Sequence, residues 1–314
     1  MHKPKVEILH KVRPKLAELE QQRRKMLEAR QSAETIAIAL VIAGIVLALS
    51  LGSYLGDENG MPIVFMIPFL ALAVAVYYIR TARMKEQGNL QQDIGNVITD
   101  AMGSDWSYAA ERHLSPGLVK YSGLMGKNRT IHGSNLIRGK HGDTRFSFSN
   151  IKISGNENEN SEVFGGLILA IDFHKELKGK TLVFPDLAQN MLGSWLGKKV
   201  QSFGWGGLEL VYLEDPDFEK AFAVYGADQV EARYILTPNM MSNMLSLKTK
   251  YGDHFSFSFT QGTVFVAIEN VNPFESSLSA PILPDGTFYH FYKAIDLVTE
   301  VIDTLQLNTR IWSK

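Results

Sequence analysis

The chain has 314 residues, 32 basic against 33 acidic, and no cysteine. That rules out a disulfide-stapled fold, thiolate chemistry and a cysteine-ligated metal, without choosing a compartment. The length allows a membrane anchor plus one or two domains.

Residues 1–32 carry nine lysines and arginines. Within them "KLAELEQQRRKMLEARQ" (15–31) is rich in helix formers. Pro14 suits a helix start, and Leu16, Leu19, Met26 and Leu27 form a loose apolar stripe. The stripe is too short for a coiled coil, so the helix is expected to run on into the next segment. Self-pairing through it leaves a homo-oligomer open. The basic residues could touch anionic lipid heads, but a topology signal is the simpler role.

Two uncharged apolar runs follow, "TIAIALVIAGIVLALSL" (35–51) and "MPIVFMIPFLALAVAVYYI" (61–79). Each suits a bilayer core about 30 Å thick, which needs about 20 helical residues. Pro68 is tolerated in a membrane helix, and Tyr77 and Tyr78 suit an interfacial anchor. A signal peptide would place its apolar core nearer the start. The loop between the runs holds Asp57 and Glu58 and no basic residue, while Arg80, Arg83 and Lys85 follow the second run. The positive-inside rule then puts both termini and the main body in the cytoplasm.

The body, 86–314, holds 20 basic and 26 acidic residues with no basic cluster, which excludes a nucleic-acid partner on charge. A helix is predicted over 86–102, with Leu90, Ile94, Val97, Ile98 and Met102 on one face. Strands follow between 134 and 184: "NLIRG", "GDTRFSFSNIKIS", the fully apolar "EVFGGLILAIDF" and "KTLVF". A helix is predicted over 186–198 and a turn at "GWGG" (204–207).

In the second half "LELVYL" reads as a strand and "EDPDFEKAFAVYG" as a helix, capped by Asp215, opened by Pro216 and ended by Gly226. "VEARYIL" reads as a strand, with Gln229, Glu231 and Arg233 on one face. "TPNMMSNMLSLKTKYG" is a helix capped by Thr237 and closed near Gly252. "HFSFSF", "TQG" and "TVFVAIEN" form a hairpin. A closing helix over 288–305 aligns Phe291, Ile295, Val298, Ile302 and Leu305. "GDTRFSFS" (142–149) returns as "GDHFSFSF" (252–259). Different elements lead into the two copies, which favours shared strand grammar over an internal repeat.

The search for chemistry is mostly negative. "KGKT" (178–181) resembles the end of a phosphate-binding loop, but His174 stands where the pattern needs glycine and a strand follows where it needs a helix. No histidine pair has metal-ligand spacing. The methionines Met240, Met241 and Met244 suit core packing better than a binding groove. The polar stretch "YGADQVEARYILTP" (225–238) is the best surface candidate, although a solvated Glu231–Arg233 ion pair would explain it as well.

The blocks "GKTLVFPD", "LEDPDFEKAFAVYGADQVEARYILTP" and the closing "LNTRIWSK", behind two membrane runs, resemble the bacterial domain of unknown function 3137 family. The resemblance implies a bacterial inner-membrane protein with a cytoplasmic α+β domain and no established activity. It also suggests a LemA-type membrane partner, because relatives are often encoded beside such proteins. Asp228, Glu231, Arg233, Arg310 and Trp312 lie in the most recognisable blocks and are the candidate binding residues.

The expectation is therefore an α+β chain: a basic helical segment (1–32), a transmembrane helical hairpin (33–80), and a mixed body of two lobes, 86–205 and 206–314. The expected role is a membrane-anchored interaction or assembly module without a catalytic residue, metal or cofactor. The rivals are an enzyme with an unrecognised carboxylate–arginine site and a subunit of a transport complex.

Overall fold

A computed structural model describes residues 5–55, 61–126, 129–155, 162–173, 175–185, 207–274, 280–283 and 286–308. The expected helix over 186–198 and most of the "GWGG" turn lie outside these residues, as do Arg310 and Trp312.

The fold is mixed α and β, as expected. Helix α1 (Lys5–Leu55) and helix α2 (Met61–Met102) come first. Pro14 lies inside α1, not at its start. The rest builds β1 (Ser107–Ala109), α3 (Pro116–Ser122), β2 (Thr130–His141), β3 (Thr144–Ser154), β4 (Glu162–Asp172) and β5 (Lys180–Pro185). Then come β6 (Glu209–Leu210), α4 (Pro216–Ala221), β7 (Phe222–Gly226), α5 (Gln229–Ile235), α6 (Pro238–Tyr251), β8 (Phe255–Thr260), β9 (Thr263–Glu269) and α7 (Thr287–Thr304).

The described strands form one sheet in the order β1-β2-β3-β4-β9-β8-β5-β7-β6. Its pairs are all antiparallel. Strand β4 pairs with β9, and β5 sits between β8 and β7. Strands from both sides of the expected 205/206 boundary thus interleave in a single sheet.

Alternation decides what each face buries. On one face Phe146, Phe148, Phe255, Phe257 and Phe259 join Leu167, Leu169, Val264 and Val266 under the helices. Helix α7 brings Phe291, Ile295, Val298 and Ile302, the face expected from its spacing, and α6 brings its three methionines. On the other face Ile151, Ile153, Ile168, Leu182 and Phe265 are covered by Leu114, Val119, Leu124 and Met125 around α3. The two similar hairpins, β3–β4 and β8–β9, abut through the β4–β9 pair and turn their phenylalanines into the same layer. The elements leading into them differ, β2 in one case and α6 in the other.

The N-terminal helix is part of this core. Ile8, Val12, Leu16 and Leu19 of α1 are buried with Leu90, Ile94 and Ile98 of α2. Leu16 and Leu19, half of the stripe that offered self-pairing, are therefore spent inside the molecule. Glu20, held by Arg23 at 2.7 Å, also accepts a hydrogen bond from the Ile282 amide at 3.0 Å and ties α1 to the loop before α7. Gln91 of α2 donates to Asn135 in β2. Beyond the end of α2, Trp106 packs against Phe146, whose strand has just left the β2–β3 turn. The N-terminal half of α2 thus leaves the body past one end of the sheet. The opposite, far end carries the β2–β3 turn, the β4–β5 connection, the β8–β9 turn and the end of β7.

Candidate functional site

Residues 215–235 correct two expectations. The expected single helix over 214–226 stops at Ala221, and Phe222–Gly226 is strand β7. Asp215 and Pro216 start that helix as expected, with the Asp215 carboxylate accepting from the amides of Asp217 and Phe218. The alternating "FAVYG" then pairs with β5 on one side and β6 on the other, and sheet hydrogen bonds outweigh helix extension. The expected strand over 230–236 is helix α5. Asp228 caps it, accepting from the amides of Val230 (2.7 Å) and Glu231 (3.1 Å). Ala232 and Ile235 bury its inner face. The strand expected over 208–213 is reduced to Glu209–Leu210.

A helix redistributes the candidate residues. Gln229 and Arg233 fall on one side, where their side chains bond the carbonyls of Leu210 (2.9 Å) and Tyr212 (3.1 Å). Glu231 turns away from Arg233, so the expected ion pair between them is not formed. Its two carboxylate oxygens instead accept from the backbone amides of Lys178 and Gly179, each at 2.7 Å. The "KGKT" stretch does hold an anion, then, and the anion is the protein's own carboxylate. Asp228, Glu231 and Arg233 are brought together as the fastenings of one short helix at the far end of the sheet.

Beside α5 the β4–β5 connection passes the β8–β9 turn, and the Phe173 amide donates to the Gly262 carbonyl at 2.7 Å. Between them is an open depression of about 760 Å³ lined by Phe173, Lys175, Glu176, Leu177, Lys178, Gln261 and Gly262. Gly262 has φ +75°, a backbone conformation that suits glycine in this turn. Lys175 is only 7% exposed. Its ammonium lies 4.1 Å from the centroid of the Tyr234 ring and 5.5 Å from that of Phe173. Burial holds its pKa below the ordinary lysine value. The next lysine in β5, Lys180, is likewise pushed down by burial. It donates to the Tyr121 carbonyl at 2.5 Å, and the Tyr121 hydroxyl in turn bonds Gln261.

The outward face of this assembly is apolar. Val230 (75% exposed), Tyr212 (69%) and Tyr234 (58%) stand out with Leu210 around the pinned helix. The sequence did not single out Lys175, Tyr212, Tyr234 or Gln261. The one available signal was the density of lysine in "HKELKGK" between two strong strands. Among the described residues no group of three or more His, Asp or Glu could hold a metal ion.

Residues 162–307 match the family described as "Protein of unknown function (DUF3137)". That segment belongs to the DUF3137 family. The match takes in β4 to α7, including the 212–238 block on which the resemblance rested, while the closing "NTRIWSK" falls beyond it. No curated protein matches the chain. Among solved structures, the chain is similar to the crystal structure of the mycobacterial trehalose monomycolate transport factor A, TtfA. That likeness has 8% identity and a TM-score of 0.33, and covers 63% of this chain and 88% of that one. Among the described residues one helical stretch, Glu7–Val46 within α1, is long and apolar enough to cross a membrane.

Proposed function

We propose that this protein is a membrane-anchored interaction or assembly module whose docking face is the α5 platform. The observation that carries the reading is the cluster of Leu210, Tyr212, Val230 and Tyr234, held out on a helix fastened from several sides. Rigid exposed aromatics of this kind supply binding area at little entropic cost and are enriched in protein interfaces. The anchor is the apolar part of α1 together with the first half of α2, a helical hairpin in a bacterial inner membrane with both termini in the cytoplasm, as the basic flanks favour. The platform then faces the cytoplasm, away from the bilayer. The partner is a membrane protein reaching that surface, and a LemA-type protein is the first candidate on the family association.

The test places a photo-crosslinking amino acid at Val230 of the full-length protein in living cells. One specific partner should be captured, and Tyr212→Ala with Tyr234→Ala should abolish its capture while membrane insertion stays intact. Recovery of only the protein itself, across growth conditions, overturns the docking reading. Extraction of the protein by alkaline carbonate overturns the anchor.

A further inference from the structure

The depression beside the platform has no role in that reading. A lysine nine-tenths buried is rare, because its charge loses hydration, and it is kept where the ammonium is used. Lys175 lies in the wall of an open depression rather than deep in the core. Its ammonium is placed on aromatic faces. Lys178 lines the same depression. Gln261 adds an amide to the wall, steadied by the Tyr121 hydroxyl. Against the one carboxylate in the lining, Glu176, the two lysines and the amide leave this open concavity net cationic, which matches an oxygen anion.

We propose that this depression is a receptor for an anionic oxygen group, a carboxylate or a phosphate, bound by the ammonium groups of Lys175 and Lys178. Glu231 is the positioning residue: by bonding the amides of Lys178 and Gly179 it fixes the loop that carries both lysines. The anion enters from free solution or on an acidic segment of a docked protein. The far end of the sheet points away from the departing α1 and α2, which does not favour a lipid headgroup. Because Lys175 lies against the Tyr234 ring, the two readings are separated through Lys178 on one side and Tyr212 and Val230 on the other.

Competitive lysine acylation, read by mass spectrometry on the full-length protein in lipid nanodiscs, tests this with three probes: pyrophosphate, succinate and a hexaglutamate peptide. Lys152 and Lys220 serve as internal references. At least one probe should slow acylation of Lys175 and Lys178 several-fold while leaving the references unchanged. Lys175→Met should weaken that probe about tenfold or more, the scale of a charge-assisted hydrogen bond. Lys175→Arg, which keeps the charge, should retain part of the affinity. Protection by a small anion identifies a free ligand, whereas protection by the peptide alone identifies an acidic protein segment. No selective protection by any probe, or equal slowing of every lysine, overturns the proposal. Should Lys175→Met fail to fold, Lys178→Ala and the unmodified protein still decide it. The docking reading fails separately, through Tyr212 and the crosslinker at Val230.

Discussion

At the scale of single residues, Glu231 shows how a surface carboxylate can be structural. Its two oxygens satisfy two backbone amides that the β4–β5 connection would otherwise leave to water. Hydrogen bonds to a charged group contribute about 1.5–3 kcal/mol each at most, and less where water competes. Glu231→Ala should therefore lower stability by about 1–3 kcal/mol. The amides of Lys178 and Gly179 should exchange with deuterium much faster, and unchanged exchange at those two amides would refute the role. A second carboxylate ties helices together: Glu300 of α7 accepts from Tyr251 of α6 at 2.6 Å and pairs with Lys250. Burial pushes the Glu300 pKa up, but the hydrogen bonds from Lys250 and Tyr251 outweigh it and hold the group below its ordinary value. The folded pKa lies below the unfolded one. The linked stability is thus present above the ordinary glutamate range, about pH 4.3, and is lost as pH falls through the lowered value. Glu300→Gln should cost stability at pH 7. The gap to the unmodified protein should close as the pH drops below about 4, which denaturant titrations across pH will show.

At the scale of elements, the sheet depends on close approach of β4 and β9. A Cβ added at Gly166 would lie 2.1 Å from the Ile268 carbonyl oxygen across that pair. Gly166→Ala should force the central strands apart and destabilise the body by about 1–3 kcal/mol or more, seen as a lower denaturation midpoint. Phe257, with no exposure at the centre of β8, should cost about 3–5 kcal/mol as Phe257→Ala. These central elements were the legible ones. Alternating phenylalanines and the 3.6-residue spacing of α7 announce their own period, and the buried faces follow from it. Residues 222–235 were not legible. A seven-residue stretch such as "QVEARYI" is too short to reveal a period, and the choice between helix and strand was made by the Asp228 cap and by β5 offering an edge to β7. The site followed the same rule. Asp228, Glu231 and Arg233 could be picked out as polar and clustered, but the partners of Glu231 and Arg233 at 178, 179 and 212 lie 21 to 53 residues away. No local pattern joins such pairs.

At the scale of the whole molecule, the N-terminal segment and the body are one folding unit. Ile8, Val12 and Leu16 are almost wholly buried against the same core as α7. Burying each such side chain contributes about 1.5–3 kcal/mol. A chain that begins at residue 86, the natural soluble fragment to make, lacks that cover. It should aggregate or unfold at a midpoint well below that of the full-length protein. Adding residues 5–32 as a separate peptide should restore part of the loss. A fragment as stable as the full chain would show that α1 only rests on the body.

The same stripe sets an order of events. Residues 8–19 are made before their partners Leu90, Ile94 and Ile98 in α2, and the Ile282 amide that bonds Glu20 comes far later still. At about 5–20 residues per second, synthesis of the intervening chain takes about 15–60 s. For that time α1 has only α2 to pack on, and the core that the two helices share with the sheet stays open. The ribosome therefore releases a molecule whose first turns have waited for its last. Whatever shields them meanwhile, a chaperone or the membrane surface, is as much a condition of its folding as the sheet itself.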